Sequence, residues 1–371
     1  MDWLLKITLI LLYKYKDDIL YYISKYIKII LIVVGSIAAI ISVFLLFTFT
    51  SHKIASNGEY DYLVDNGFIN KYSAGEYELN IYRPGNPESK YKIIGLSDMN
   101  ENNFAQRMEQ VNKQLMDYDL IYIDRAGYGY SDDTDIPQTV EQVVNDYRTA
   151  LKSAGINPPY VLMPHEYGGI FAAYWISTYP DEIKGFISIE GEPLGGFYPL
   201  PESEEWSGSR WWKNFVAKVG LHRSSLSDYS YESLPGAYSI EVMRASDYLN
   251  MNAPYSKAQA SEDELALENS ILVQDTLKTT DIPKIYISTT YNCETTEELK
   301  KQIGSNHSED ALQILLLSYQ RYNSTALNPH VKIMGNMETI HLPCGDLMSE
   351  KPDDMYRAIK NYLNELDQHK P

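Results

Sequence analysis

The sequence predicts an α/β domain, a mostly parallel twisted sheet with helices on both faces, carried behind a single transmembrane helix. Three observations predict it. From residue 91 onward, short apolar runs of strand length alternate with stretches of helical period. The run from Ile29 to Thr50 holds no charged residue over 22 positions, enough to cross a hydrocarbon layer about 30 Å thick. A chain of 371 residues with two cysteines, Cys293 and Cys344, must cohere by apolar burial rather than by disulfides.

Residues 1–28 form a basic, amphipathic segment, in which Trp3 to Tyr13, broken by Lys6, reads as an interfacial helix rather than a second crossing. Residues 29–50 are the span. A core helix rarely lacks any polar stripe, and this run lacks one. Lys6, Lys14, Lys16, Lys25 and Lys28 precede the span, whereas Glu59, Asp61 and Asp65 follow it. The positive-inside rule therefore predicts a cytoplasmic N-terminus, a single pass through the cell membrane and an extracytoplasmic body. No A-x-A site follows the apolar run, so an uncleaved anchor in membrane lipid is expected.

In the body, turn residues and short apolar runs over 57–90, such as Gly67 to Ile69 and Tyr77 to Tyr82, read as an opening antiparallel hairpin. Tyr91 to Leu96 is a strand, and Phe104, Met108, Val111 and Leu115 share one helical face. Leu120 to Ile123, Tyr160 to Met163 and Gly185 to Ile189 are further strands. Helices separate them, one with Val140, Val143, Val144, Tyr147 and Leu151 at helical spacing and one ending near Tyr179. After Glu190 the rhythm breaks. Residues 191–281 hold Trp206, Trp211, Trp212, many tyrosines and a helix opening at the capping box Ser261-x-x-Glu264, and are expected to form an inserted helical lid. The core, 57–190, resumes over 282–368 with a strand at Pro283 to Ser288, a helix over Glu309 to Tyr322, a strand at Thr339 to Leu342 and a last helix from Asp353 to Leu366.

Charge excludes some functions. The first 53 residues carry six Lys and three Asp, and the rest hold 26 basic against 47 acidic groups, so a basic head precedes an acidic body unsuited to nucleic acid. No P-loop, dinucleotide fingerprint or zinc-type spacing occurs, and no cofactor is expected.

Three segments, in order and at matching spacing, resemble the α/β-hydrolase family. Asp124-Arg125-Ala126-Gly127-Tyr128-Gly129-Tyr130-Ser131 resembles the loop after that family's fourth strand. Pro159 to Gly169, with Pro164-His165-Glu166-Tyr167-Gly168-Gly169 at its end, resembles the strand, nucleophile elbow and helix, and Tyr179 to Gly185 resembles the approach to the sixth strand. The resemblance covers about residues 60–366 and is closest to a membrane-anchored bacterial subgroup whose elbow reads P-H-S. It implies an α/β-hydrolase fold and a serine-hydrolase ancestry, and it also shows where this chain departs. Glu166 stands where the nucleophilic serine belongs. Asp98 stands in the oxyanion-hole turn Leu96-Ser97-Asp98-Met99 where glycine is expected, and Met99 and Tyr167 occupy the positions of the oxyanion donors. The acid position falls on Asn292, with Glu294 and Glu190 as alternatives. One register makes His341 the base. The other, preferred for its spacing to Pro352, places Asp346 there within Cys344-Gly345-Asp346.

Asp98, Glu166 and Asp346 are thus expected to converge at the top of the sheet, where like charges force one carboxyl to stay protonated or require a cation such as Ca²⁺, Mg²⁺ or an amine-bearing small molecule. The first reading is a pseudoenzyme that binds or senses a ligand. The second is an active hydrolase using Glu166 as a carboxylate nucleophile on an ester, epoxide or haloalkane. Cys293 and Cys344 border the same site in the resembled fold, so pairing of the two is an open expectation alongside two free thiols.

Overall fold

The computed structural model describes residue 3 and residues 13–191, 206–223, 238–252, 255–303 and 308–368. The expected interfacial helix at Trp3 to Tyr13 lies outside these residues except at its two ends. Eight strands form one sheet: β1 Lys71–Ser73, β2 Glu78–Tyr82, β3 Lys92–Leu96, β4 Asp119–Ile123, β5 Tyr160–Pro164, β6 Ile183–Ile189, β7 Lys284–Ser288 and β8 Met337–His341. Their order is β1-β2-β4-β3-β5-β6-β7-β8, antiparallel over the first two pairings and parallel from β4 to β8.

Successive side chains of a strand point to opposite faces, and the central strands are apolar at nearly every position, so both faces are covered. Ile94, Leu96, Ile121 and Leu162 pack on one side with the helices Val140–Ser153, Gly168–Thr178 and Lys257–Thr276. Ile93, Leu120, Val161, Met163 and Ile187 pack on the other with Phe104, Met108 and Val111 and with the closing helix Pro352–Gln368.

Two local features differ from expectation, and a third decides between readings that the sequence left open. The helix through the apolar run does not end there: it spans Lys16–Asp65 without a break, about 75 Å at 1.5 Å per residue, so residues 57–65 are helical and the hairpin begins only at β1. It is long and apolar enough to cross a membrane. From the last turn of the apolar run onward its buried residues are Thr48, His52, Ser56 and Leu63, one stripe at nearly helical spacing. Arg223 Nε donates to His52 Nδ1 at 3.0 Å and its guanidinium also bridges to Glu59, while Ser56 Oγ donates to Asn252 at 2.6 Å. Gly220 makes the contact possible, because a Cβ there would lie 2.3 Å from the His52 Cβ.

The second difference is the cap of the helix Lys257–Thr276. Ser256 and Gln259 form its capping box, and Ser261 instead accepts a hydrogen bond from the Gln138 N–H. This helix is also no peripheral lid, since Ala258, Ala266 and Val273 belong to the core. The third concerns the thiols. Cys293 is buried among Leu299, Leu312 and Leu316, Cys344 donates to the Leu342 carbonyl, and both are free.

One fully buried ion pair ties the inserted region to the sheet. Arg125 and Glu262, each 1% exposed, meet through two hydrogen bonds of 2.6 and 2.7 Å. The remaining guanidinium donors go to the Ser97 carbonyl and hydroxyl and to the Asp98 carbonyl, at 2.8–2.9 Å. Truncating one partner leaves a buried charge uncompensated. Glu262→Ala is expected to lower unfolding stability by about 3–5 kcal/mol, read as a fall in the urea midpoint at unchanged slope.

Candidate functional site

The apex is built where β5 turns into the helix Gly168–Thr178. The His165 N–H donates to Leu96 and the Glu166 N–H to Ile189, so the turn is pinned to both neighbouring strands. Glu166 lies in the left-handed region at φ +41°, a conformation that costs a non-glycine residue energy. The elbow has therefore kept its strained shape with a carboxylate at its tip. Gly168 follows because a Cβ there would lie 2.6 Å from the Leu96 carbonyl oxygen.

Asp98 and Glu166 come together as expected. Asp98 Oδ1 accepts the Tyr167 N–H at 2.9 Å, and the Met99 N–H also favours its ionised form. The two backbone donors positioned for an oxyanion are thus turned on a carboxylate of the chain itself. Burial is the main influence on Asp98 and raises its pKa against these donors. Glu166, half exposed, is pushed up to about 7, first by burial and then by the Asp98 charge, with His165 opposing and Glu190 adding.

Asp346 does not join them in the way expected. Its carboxylate caps the helix Leu347–Glu350 by accepting the Met348 N–H at 3.0 Å, and it pairs with Arg107 at 3.3 Å. A helix N-terminus and a guanidinium together hold it in place. The further acidic neighbour of Glu166 is Glu190, also left-handed at φ +50° and hydrogen-bonded by Thr289 at 2.5 Å. The other acid positions, Asn292 and Glu294, lie exposed on the loop after β7. His341 ends β8, with Nδ1 3.0 Å from the Thr290 carbonyl oxygen, and its contact is with that backbone rather than with Glu166.

The residues that complete the apex were not among those expected. His165 is 3% exposed, stacks on Phe104 with ring centres 5.3 Å apart, and meets Glu101 through Nδ1 at 2.8 Å. Its other ring nitrogen lies 3.8 Å from Glu166. Glu101 also accepts the Asp98 N–H at 3.0 Å and pairs with Arg107. Burial opposes ionisation of Glu101, yet His165 and Arg107 outweigh it and hold the carboxyl below its usual range. Burial likewise opposes a charged His165, and Glu101, Glu166 and Asp98 outweigh it to raise the imidazole. His165 stands inside the quoted elbow motif, and Glu101 lies three residues past Asp98. Both signals were present in the sequence, but only folding brings them into contact.

Five carboxyl groups, those of Asp98, Glu101, Glu166, Glu190 and Asp346, thus lie about one imidazole and one guanidinium. Among the described residues, His165, Glu166 and Glu190 present ligand atoms within 4.8 Å of one another, a spacing suited to a small cation. The arrangement can attract positive charge. It does not offer an empty pair of N–H donors to a developing oxyanion.

The family model for the alpha/beta hydrolase fold matches residues 83–230. YbdG of Bacillus subtilis is 29% identical over 163 residues, 44% of this chain and 49% of that protein, so the chain spans about half the length of this curated relative. Among solved structures, the epoxide hydrolase CorEH aligns at TM-score 0.52 and 15% identity over 80% of this chain and 98% of that one. The haloalkane dehalogenase DatA of Agrobacterium tumefaciens C58 aligns at 0.51 and 16% over 80% and 96%. The matched model and the shared architecture show that the chain has the α/β-hydrolase fold.

Proposed function

We propose that this chain is a membrane-anchored pseudo-hydrolase, a single-pass protein with its domain outside the cytoplasm, whose apex binds a cationic ligand instead of hydrolysing an ester. The observation that carries the reading is the Asp98 carboxylate seated on the Tyr167 N–H. Oxyanion stabilisation needs donors aimed at the place where charge develops, in a site that is otherwise not negative. Here the donors serve a resident anion, and a second oxyanion would meet its repulsion together with that of Glu166. The lysines before the apolar run and the acids after it support the orientation. A bound ammonium group or divalent ion would favour the ionised form of Glu166 and would be held between Glu166 and Glu190, backed by Asp98.

Use of Glu166 as a carboxylate nucleophile is less well supported. A nucleophile must be ionised, and burial beside Asp98 favours its protonated form up to about pH 7. It would also need a base to activate water, and His341 is engaged with Thr290.

The full chain in detergent is expected to show no turnover across ester, epoxide and haloalkane panels, and to bind a polyamine or a divalent ion by calorimetry, with affinity lowered at least tenfold in Glu166→Gln. Turnover in the wild type that disappears in Glu166→Gln would establish the carboxylate enzyme instead. The titration of Glu166 sets a second expectation. A carboxyl raised from 4.5 to about 7 takes up protons on folding between those values, so its contribution to stability is full below about pH 4.5 and is lost as the pH rises through 7. Glu166→Gln escapes that loss. Its thermal stability should match the wild type near pH 4.5 and exceed it above pH 7, by ~1 kcal/mol once solvent screening of this half-exposed group is allowed for.

A further inference from the structure

The helix Trp206–Lys218 stands out within an acidic body. It contains Arg210, Lys213 and Lys218 and no acidic residue. Val216 and Ala217 are buried against the domain, and Asn214 donates to the Tyr255 carbonyl at 3.0 Å, so one side of the helix is fixed. The other side presents two of the largest apolar side chains in the protein to solvent: Trp211 is 66% and Trp212 54% exposed. Both stack on Phe215, with ring centres 5.5 and 5.6 Å apart.

The position of this helix explains the exposure. It runs directly into Gly220, where a Cβ would lie 3.0 Å from the Thr48 carbonyl oxygen. Thr48 is buried by that contact although it lies two residues before the end of the apolar run at Thr50. The domain therefore reaches the level of the last turn of the span. A helix there lies at the depth of the lipid headgroups, where tryptophan is enriched because its ring is apolar and its N–H is polar. Basic side chains beside the rings suit an anionic lipid surface.

We infer that the Trp211–Trp212–Phe215 face of this helix inserts into the headgroup layer of an anionic phospholipid bilayer, on the domain's side of the span. The inference rests on the membrane-anchored reading and extends it: the domain has a second, interfacial contact with the membrane. The contact is continuous with the span through Gly220 and Thr48.

The test uses the full chain carrying Trp3→Phe and Trp206→Phe, reconstituted in phosphatidylcholine/phosphatidylglycerol vesicles whose phosphatidylcholine bears bromines at shallow acyl positions. Trp175 is fully buried and shielded from the quencher. Fluorescence quenching is expected to be at least twofold greater than in the same protein with Trp211→Phe and Trp212→Phe, and to fall when phosphatidylglycerol is omitted. Equal quenching with and without the two tryptophans, in a chain that resists alkaline carbonate extraction, overturns the interfacial contact while leaving the span intact. Release by carbonate overturns the span and the inference with it. Quenching unchanged in pure phosphatidylcholine removes the assignment to anionic lipid.

Discussion

The buried pairing of Arg125 with Glu262 joins the loops after β3 and β4 to a helix of the inserted region. Its two halves are 137 positions apart in the chain, and both are nearly devoid of solvent. A guanidinium in that setting must spend every donor, and it does so on two segments at once: the helix Lys257–Thr276 through Glu262, and the loop after β3 through the Ser97 backbone and hydroxyl and the Asp98 carbonyl. Tyr128 adds its hydroxyl to Glu262 and its ring to the guanidinium, 3.8 Å from the ring centre. The loop after β3 therefore has its course set by the loop after β4 and by a helix from the inserted region. The direction of the Asp98 side chain follows from that course.

This separates what the scaffold needs from what chemistry needs. The left-handed turn at Glu166 and the glycine behind it are requirements of a strand passing into a helix at close quarters, and they persist whether the tip carries a hydroxyl or a carboxylate. The oxyanion donors are backbone groups and persist as well. What departs from the resembled pattern are three side chains: an acid at the tip, an acid over the two backbone N–H groups, and at position 346 an acid that serves a short helix and Arg107. A buried histidine, held by Glu101, and the Arg107 guanidinium then offset part of that negative charge.

Much of this was legible in the sequence for physical reasons. Strands buried on both faces leave unbroken apolar runs, so β3 to β7 stood out within a residue or two at either end. The residues at 98 and 166 were visible because each follows a clear apolar strand, and at 166 because Gly168 and Gly169 mark the tight turn. The errors share a cause. The helix end at Asp65 was missed because its buried stripe is Thr48, His52 and Ser56, polar groups satisfied by Arg223 and Asn252 from far along the chain, which hydropathy cannot register. Asp346 was placed by loop proximity, whereas its rotamer is decided by a cation 239 residues away. The helix Lys257–Thr276 was assigned to an inserted lid because its buried residues are mostly small or polar, Gln259, Glu262, Asn269 and Ser270 among Ala258, Ala266 and Val273, and so carry no apolar stripe that marks a core helix.

The unbroken helix from Lys16 to Asp65 has a mechanical meaning. A flexible tether would let a domain tumble above the lipid at any height and azimuth. A stiff rod clasped along its final turns by Arg223 and by the cluster around Leu63 makes the domain's heading a fixed property of how the rod leans. Any force that tilts or rotates the rod from below is delivered to the domain as rigid-body motion, and torque on the domain returns along the same lever.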